Sequence, residues 1–320
     1  MPLISRINPF SKQNNDTGFG VNAEGYGGRF INRDGTYNLR REGYPFFERF
    51  SVYHMLLSLP GWQFIAALLL FFLVINLVYT GVYLVLGAQQ LQGIIAHNGW
   101  ERFKELYFFS TETFTTVGYG RVNPVGDGAN FVAAIEAMSG FLSFAIATGL
   151  IYGRFSKPRA HLVFSDHAII GPYKGGQGLK FRLACYKENH TLSDLSITVN
   201  LGLQVQENGE AVYKFYELTL ERKHLQNLPM SWTVVHPIDE NSPLLGLTEE
   251  DMQQADVELY VMLRGFNDVY SNFVAQRTSY TYGEIKHGRK FVPMYRESHN
   301  GKTTILELQH LHKHIPAGEA

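Results

Sequence analysis

A single cysteine, Cys185, stands in a chain of 320 residues, so no intrachain disulfide can form and a reducing compartment suffices for the segment that carries it. Charge of one sign is equally scarce. With 28 Lys and Arg against 29 Asp and Glu, the formal net charge is -1. A duplex binder needs a clear basic excess, so nucleic acid is set aside as a partner. No P-loop, catalytic triad or zinc-ligand spacing stands out, which leaves no enzyme and no cofactor in view. The cluster Gly175-Gly176-Gln177-Gly178 lies in no βαβ unit and has the wrong spacing for a dinucleotide fingerprint. His310, His312 and His314 alternate on what reads as a solvated tail, a weak basis for a metal site. Spaced arginines are missing from every apolar run, which argues against voltage sensing.

Uncharged runs, by contrast, are present. From Phe64 to Leu86 no charge interrupts the sequence, and a helix of that length rises about 34 Å, enough to cross a bilayer core. A second run from Gly128 to Tyr152 carries Glu136 as its only charge, with glycines at Gly140 and Gly149. The intervening loop is too apolar at 107–120 (YFFSTETFTTVGYG) for open water, so it is expected to re-enter the membrane, where non-helical backbone is tolerated along a water-filled path. Arg29, Arg33, Arg40, Arg41 and Arg49 precede the first span, and Arg154, Lys157 and Arg159 follow the second. Positive residues stay inside, which predicts an integral inner-membrane or plasma-membrane protein with both termini cytoplasmic. The stretch from Tyr44 to Leu59, stopped by Pro60-Gly61, reads as an interfacial helix, and residues 1 to 25 as a flexible tail.

Beyond Lys157-Pro158 long apolar runs give way to short alternating ones. Strands are predicted at Leu179–Cys185, Ser196–Gln204, Val212–Thr219, Trp232–His236, Leu259–Gly265 and Thr303–Leu308. Turns are expected at Asn208-Gly209 and at the glycine cluster, and the pattern predicts an antiparallel β-sandwich of immunoglobulin-like type.

Thr116-Val117-Gly118-Tyr119-Gly120 is the five-residue signature shared by potassium channels. Its carbonyls, with the Thr116 hydroxyl, can replace the water around a bare K+ when four copies surround one axis; one copy cannot. Inward-aimed successive carbonyls force alternate residues into left-handed backbone, which the glycines at 118 and 120 accept, while Val117 and Tyr119 are expected to pack behind. Phe103 to Phe114 reads as a short helix whose negative C-terminal end would favour a cation.

Three further stretches carry a resemblance: 109–113 (FSTET), 148–158 (TGLIYGRFSKP) and 231–239 (SWTVVHPID). With the filter and both spans, they make the chain similar to the inward-rectifier potassium channel family, most closely its prokaryotic (KirBac-like) branch, over about residues 26 to 310. The resemblance implies a homotetramer of this layout: a cytoplasmic N-terminal segment (1–43), an interfacial slide helix (44–61), a transmembrane pore domain (62–157) and a cytoplasmic β-sandwich (158–320) that continues the pore as a vestibule. Within the pore domain it implies an outer helix at 63–87, a pore helix at 103–115, the filter at 116–120 and an inner helix at 128–157.

Residue by residue, the resemblance makes Glu112 a brace for the filter with Arg121 as the obvious basic partner. It places Phe144, Thr148 and Tyr152 along the pore, with Tyr152 at the cytoplasmic constriction. Gly140 and Gly149 stand open between hinge and close packing, and Glu136 between cavity influence and a packed, protonated acid. Arg154, Lys157 and Arg159 are candidates for anionic lipid headgroups, phosphoinositides among them, or simply for orientation. Phe144, Arg264 and Ser193 occupy positions where strong rectifiers have acids, which implies weak block by internal polyamines or Mg2+; Ba2+ is a further expected blocker. Two other readings stay open: a nonselective cation pore, and a non-conducting membrane-anchored β-domain binding protein.

Overall fold

The structure, a computed structural model, describes residues 7–14, 28–40, 42–43, 45, 51–188, 190–207 and 210–318. It divides into two compact units, Glu42–Lys157 and Met1–Arg41 with Pro158–Ala320.

The first unit is helical. Helix α1 (Val52–Ser58) opens on Ser51, whose hydroxyl caps the His54 amide, and stops at Leu59 ahead of Pro60. The earlier half of the expected slide helix, 44 and 46–50, lies outside the described residues. Among the described residues, α2 (Gly61–Leu86) and α4 (Asp127–Phe155), at the places expected for the outer and inner helices, are the two helices long and apolar enough to cross a membrane. Between them helix α3 (Gly99–Phe114), the expected pore helix, begins four residues before the apolar pattern suggested. The reason is a cap: Asn98 Oδ1 accepts from the Glu101 amide at 2.8 Å, and Glu101 Oε2 accepts from the His97 amide at 2.7 Å. A two-residue ribbon, β1 (Leu91–Gln92) against β2 (Asn123–Pro124), ties the segment after α2 to the segment before α4. Tyr83, Leu106, Phe109 and Ala129 bury their side chains in the shared core of the three helices, with the Tyr83 and Phe109 rings edge-on at 5.1 Å.

The second unit is a sandwich of two five-stranded sheets. One holds β6 (Leu192–Glu207), β7 (Glu210–Glu217), β8 (His224–Asn227), β10 (Glu258–Asn267) and β11 (Asn272–Thr281). The other holds β3 (Leu162–Phe164), β4 (Ala168–Tyr173), β5 (Gly176–Cys185), β9 (Ser231–Ile238) and β12 (Ile285–His287). Leu179, Phe181 and Leu183 of one sheet and Val199, Leu201, Leu259 and Val261 of the other meet in a single core, each at the inward step of its strand's alternation. The β4–β5 reversal is a two-residue turn, Lys174-Gly175, with both residues at positive φ, as a tight hairpin requires. Asn208-Gly209 lies outside the described residues, though the strands on either side pair antiparallel.

Three expectations change here. The sandwich is not wholly antiparallel, because β12 runs parallel to β4 at the sheet edge. Residues 7–14, read as part of a flexible tail, are fastened: Asn8 is buried with its amide on the carbonyl oxygens of Glu240 and Ser242, and Gln13 bridges Tyr216. Arg29 and Arg33, counted above for orientation, likewise pair with Glu284 at 3.0 and 3.4 Å, and Ile31 and Phe30 join a cluster with Tyr213, Phe215 and Tyr260. Nor is the histidine tail loose. Leu311 is buried, β14 (His314–Pro316) pairs with β13 (Arg289–Phe291), and His312 sits 3.2 Å from Asp166. Among the described residues no group of three metal-ligating side chains forms there.

His236, in one of the stretches that carry the resemblance, is buried on β9. Its Nδ1 donates to the Thr219 carbonyl and its Nε2 accepts from the Ser242 hydroxyl, both at 2.7 Å, which fixes the neutral tautomer. Burial holds its pKa below the ordinary 6.5. Below about pH 6.5 the unfolded chain takes up this proton while the folded one does not, so stability falls as pH falls towards the depressed folded value. Thermal unfolding of the full chain between about pH 8 and pH 5.5 should therefore show a declining midpoint, and His236→Gln a shallower decline. His161, His167 and His314 shift in the same direction, so a residual slope should persist. An unchanged slope in His236→Gln would show that this histidine does not contribute.

Candidate functional site

After Phe114 the backbone leaves the helix and alternates. Thr116, Gly118 and Gly120 have φ of 60°, 53° and 83°, while Val117 and Tyr119 between them stay out of the left-handed region. Glycine takes this conformation freely; a β-branched threonine does so at a cost of about 1–3 kcal/mol. Thr116 at positive φ was not expected from sequence. The segment is held from behind by the Glu112 carbonyl, which accepts from the amides of Val117 at 2.9 Å and Gly118 at 3.2 Å. Beyond it, Asn123 Nδ2 donates to the Gly120 carbonyl at 2.7 Å. Within one chain Val117 and Tyr119 do not pack behind anything: they are 53% and 80% exposed.

The expected Glu112–Arg121 pair does not form within the chain. Arg121 instead places Nη2 2.5 Å from Glu105 Oε2, two turns earlier on the pore helix, and Nη1 3.5 Å from the Gly93 carbonyl. Glu105 lies two turns nearer the start of the helix, at the level where the returning chain passes, whereas the Glu112 carbonyl holds the 117–118 amides.

Glu136 proves to be a packed acid. It is fully buried, and its Oε2 accepts from the Tyr83 hydroxyl of the outer helix at 2.6 Å. Its Oε1 lies 2.5 Å from Ser110 Oγ of the pore helix. Ser110 also reaches Asn76 Oδ1 at 3.0 Å and the Asn76 carbonyl at 3.3 Å. Asn76, Tyr83, Ser110 and Glu105 drew no notice from sequence. A polar residue inside an apolar span is the signal that was available for Asn76.

Phe144, Thr148 and Tyr152 are spaced four apart on α4 and share one exposed face, with the Thr148 hydroxyl turned back onto the Phe144 carbonyl. Gly140 is buried, and a Cβ there would strike the carbonyl oxygen of Phe114; Gly149 faces open space. Arg154 folds over the Phe64 ring at 5.2 Å, while Lys157 and Arg159 are exposed. In the β unit, the Arg264 guanidinium lies over Phe273 at 4.3 Å, and the Ser193 hydroxyl donates to Asp268 at 2.9 Å.

Residues 162–317 match the family described as inward rectifier potassium channel C-terminal domain, and residues 68–157 match an ion channel family. The chain is 31% identical over 280 residues to the inward rectifier potassium channel Kirbac3.1 of Paramagnetospirillum magnetotacticum, covering 87% of this chain and 92% of that protein. It is 27% identical over 223 residues to ATP-sensitive inward rectifier potassium channel 12 of Homo sapiens, covering 66% of this chain and 50% of the human protein.

Proposed function

Because the chain belongs to the inward rectifier potassium channel family, we propose that four copies surround one axis and pass K+ between the carbonyls of Thr116, Val117, Gly118 and Tyr119. The alternation of backbone hand through Thr116, Gly118 and Gly120 carries this reading, since it lets consecutive carbonyls share one side of the strand. The exposure of Val117 and Tyr119 supports assembly with further copies, because side chains of this size at membrane depth need neighbours that one chain does not supply. Both termini are cytoplasmic on the count of flanking positive residues.

The exposed face of Phe144, Thr148 and Tyr152 lines the inner pore, and Tyr152 closes it. Exposed Lys157 and Arg159 meet anionic headgroups; Arg154, folded on Phe64, orients the helix end instead. Reconstitution of the full chain in liposomes, with and without anionic lipid, tests the whole reading. A K+ gradient should drive flux that Ba2+ blocks. Equal passage of Na+ would indicate a nonselective pore, and no flux a membrane anchor.

Rectification by internal polyamines is weak, because Phe144 puts no charge in the cavity and Arg264 and Ser193 put no acid in the β unit at the matching positions. Phe144→Asp, which adds four carboxylates around the axis, should raise the affinity for internal spermine by about tenfold or more and make the block steeply voltage-dependent. Strong voltage-dependent spermine block of the unmodified channel would overturn weak rectification.

A further inference from the structure

The cluster around Glu136 contains a shortage of protons. Asn76, Tyr83, Ser110 and Glu136 are all fully buried, so water does not complete their hydrogen bonds. The Tyr83 hydroxyl gives its proton to Glu136 Oε2, and Asn76 Nδ2 gives one of its own to the Phe72 carbonyl at 2.7 Å. Ser110 Oγ then faces three oxygens: Glu136 Oε1, Asn76 Oδ1 and the Asn76 carbonyl. A hydroxyl has one proton. Asn76 Oδ1 only accepts, and the Asn76 carbonyl is already served by Thr80 at 2.6 Å. If Glu136 also only accepted, the short Ser110 contact or the Asn76 contact would set two lone pairs against each other in a site with no water.

We propose that Glu136 enters the cluster as a neutral acid that donates to Ser110, and that through this bond it positions the selectivity filter. Every partner is then satisfied in one direction: Tyr83 to Glu136, Glu136 to Ser110, Ser110 to Asn76, Asn76 to Phe72. Among the described residues no cation pairs with Glu136, and its partners, the Tyr83 and Ser110 hydroxyls, are neutral, so the donor form leaves no bare charge at membrane depth. The link to the filter is short. Ser110 sits two residues before Glu112, whose carbonyl holds the Val117 and Gly118 amides, and Glu136 sits one turn before Gly140, which abuts the Phe114 carbonyl. Inner, outer and pore helices are thereby pinned to one another at the depth where the filter starts.

This inference rests on the filter reading above, and the experiment separates the two. Full-length wild type, Glu136→Gln, Glu136→Ala and Ser110→Ala are reconstituted, their K+ to Na+ permeability ratios measured, and infrared spectra of wild type and Glu136→Gln compared. Glutamine keeps each direction, its amide oxygen accepting from Tyr83 and its NH2 donating to Ser110. It should retain the wild-type ratio, while Glu136→Ala and Ser110→Ala should lower it by about tenfold. A carboxylic-acid C=O band should be present in wild type and absent from Glu136→Gln. Should Glu136→Ala fail to assemble, Ser110→Ala breaks the same bond and decides the selectivity arm. The proposal is overturned if Glu136→Gln removes only carboxylate bands, if it loses selectivity, or if Ser110→Ala keeps the wild-type ratio. Absence of K+ flux from wild type would instead overturn the filter reading.

Discussion

Gly118→Ala is expected to abolish K+-selective flux while leaving the full chain folded and assembled. The residue has φ 53°, and a Cβ in that region costs about 1–2 kcal/mol per residue because it crowds the following carbonyl oxygen. Space is not the obstacle, since nothing lies within 4 Å of the added atom in the chain. Conformation is. The relaxed alternative rotates the peptide and turns a carbonyl away from the axis, and in the proposed tetramer this removes a complete ring of ligands rather than one oxygen. Thr116 shows that the loop already sustains one unfavourable left-handed residue per chain, so a second such residue falls on a segment with little reserve. Val117→Ile, at a position outside the left-handed region, should keep selective flux. Measured K+ and Na+ reversal potentials decide the matter, and selective K+ flux through Gly118→Ala would show that backbone hand at 118 does not set the ligand ring.

The parts of this molecule that could be read in advance are those where a residue's chemistry dictates backbone or burial by itself. Uncharged length gave both spans, and the filter glycines announced left-handed backbone at 118 and 120. What escaped depends on partners far away in sequence. Strand β11 contains Asn272, Gln276, Arg277, Thr278 and Ser279 and has no alternating apolar face. Two of its polar side chains are taken up by the N-terminal segment, Thr278 donating to the Arg33 carbonyl and Ser279 to that of Ile31, while Gln276 holds the backbone of Leu162. The same holds for Arg121. Two acids stood within reach along the pore helix, and only the three-dimensional path of the loop through Gly93 selects Glu105 over Glu112. Glu136 looked ambiguous for the same reason, because the two hydrogen-bonding partners of its carboxyl, Tyr83 and Ser110, come from two other helices.

Gly140→Ala is the substitution from which we expect the largest loss of assembly. The inner helix touches the end of the pore helix there so closely that an added methyl would overlap the Phe114 carbonyl oxygen, which belongs to rigid backbone and cannot swing aside. Overpacking of a tight site costs roughly 1–3 kcal/mol, and in the proposed tetramer it is repeated in every subunit. The displaced atom also lies two residues before Thr116, so whatever survives should conduct with impaired selectivity. Gly149→Ala makes the contrast. Its added methyl meets nothing within 4 Å in the chain, and alanine gains about 0.8–1 kcal/mol of helix propensity over glycine. Size-exclusion profiles and thermal unfolding of the two full-length variants in detergent should therefore diverge, with Gly140→Ala dissociating well below wild type and Gly149→Ala at or above it. If Gly149 is also the point where the inner helix bends, Gly149→Ala should keep its stability and lose open probability, which single-channel recording reads directly. A stable, fully conducting Gly140→Ala would mean that the pore helix can retreat from the inner helix without moving the filter.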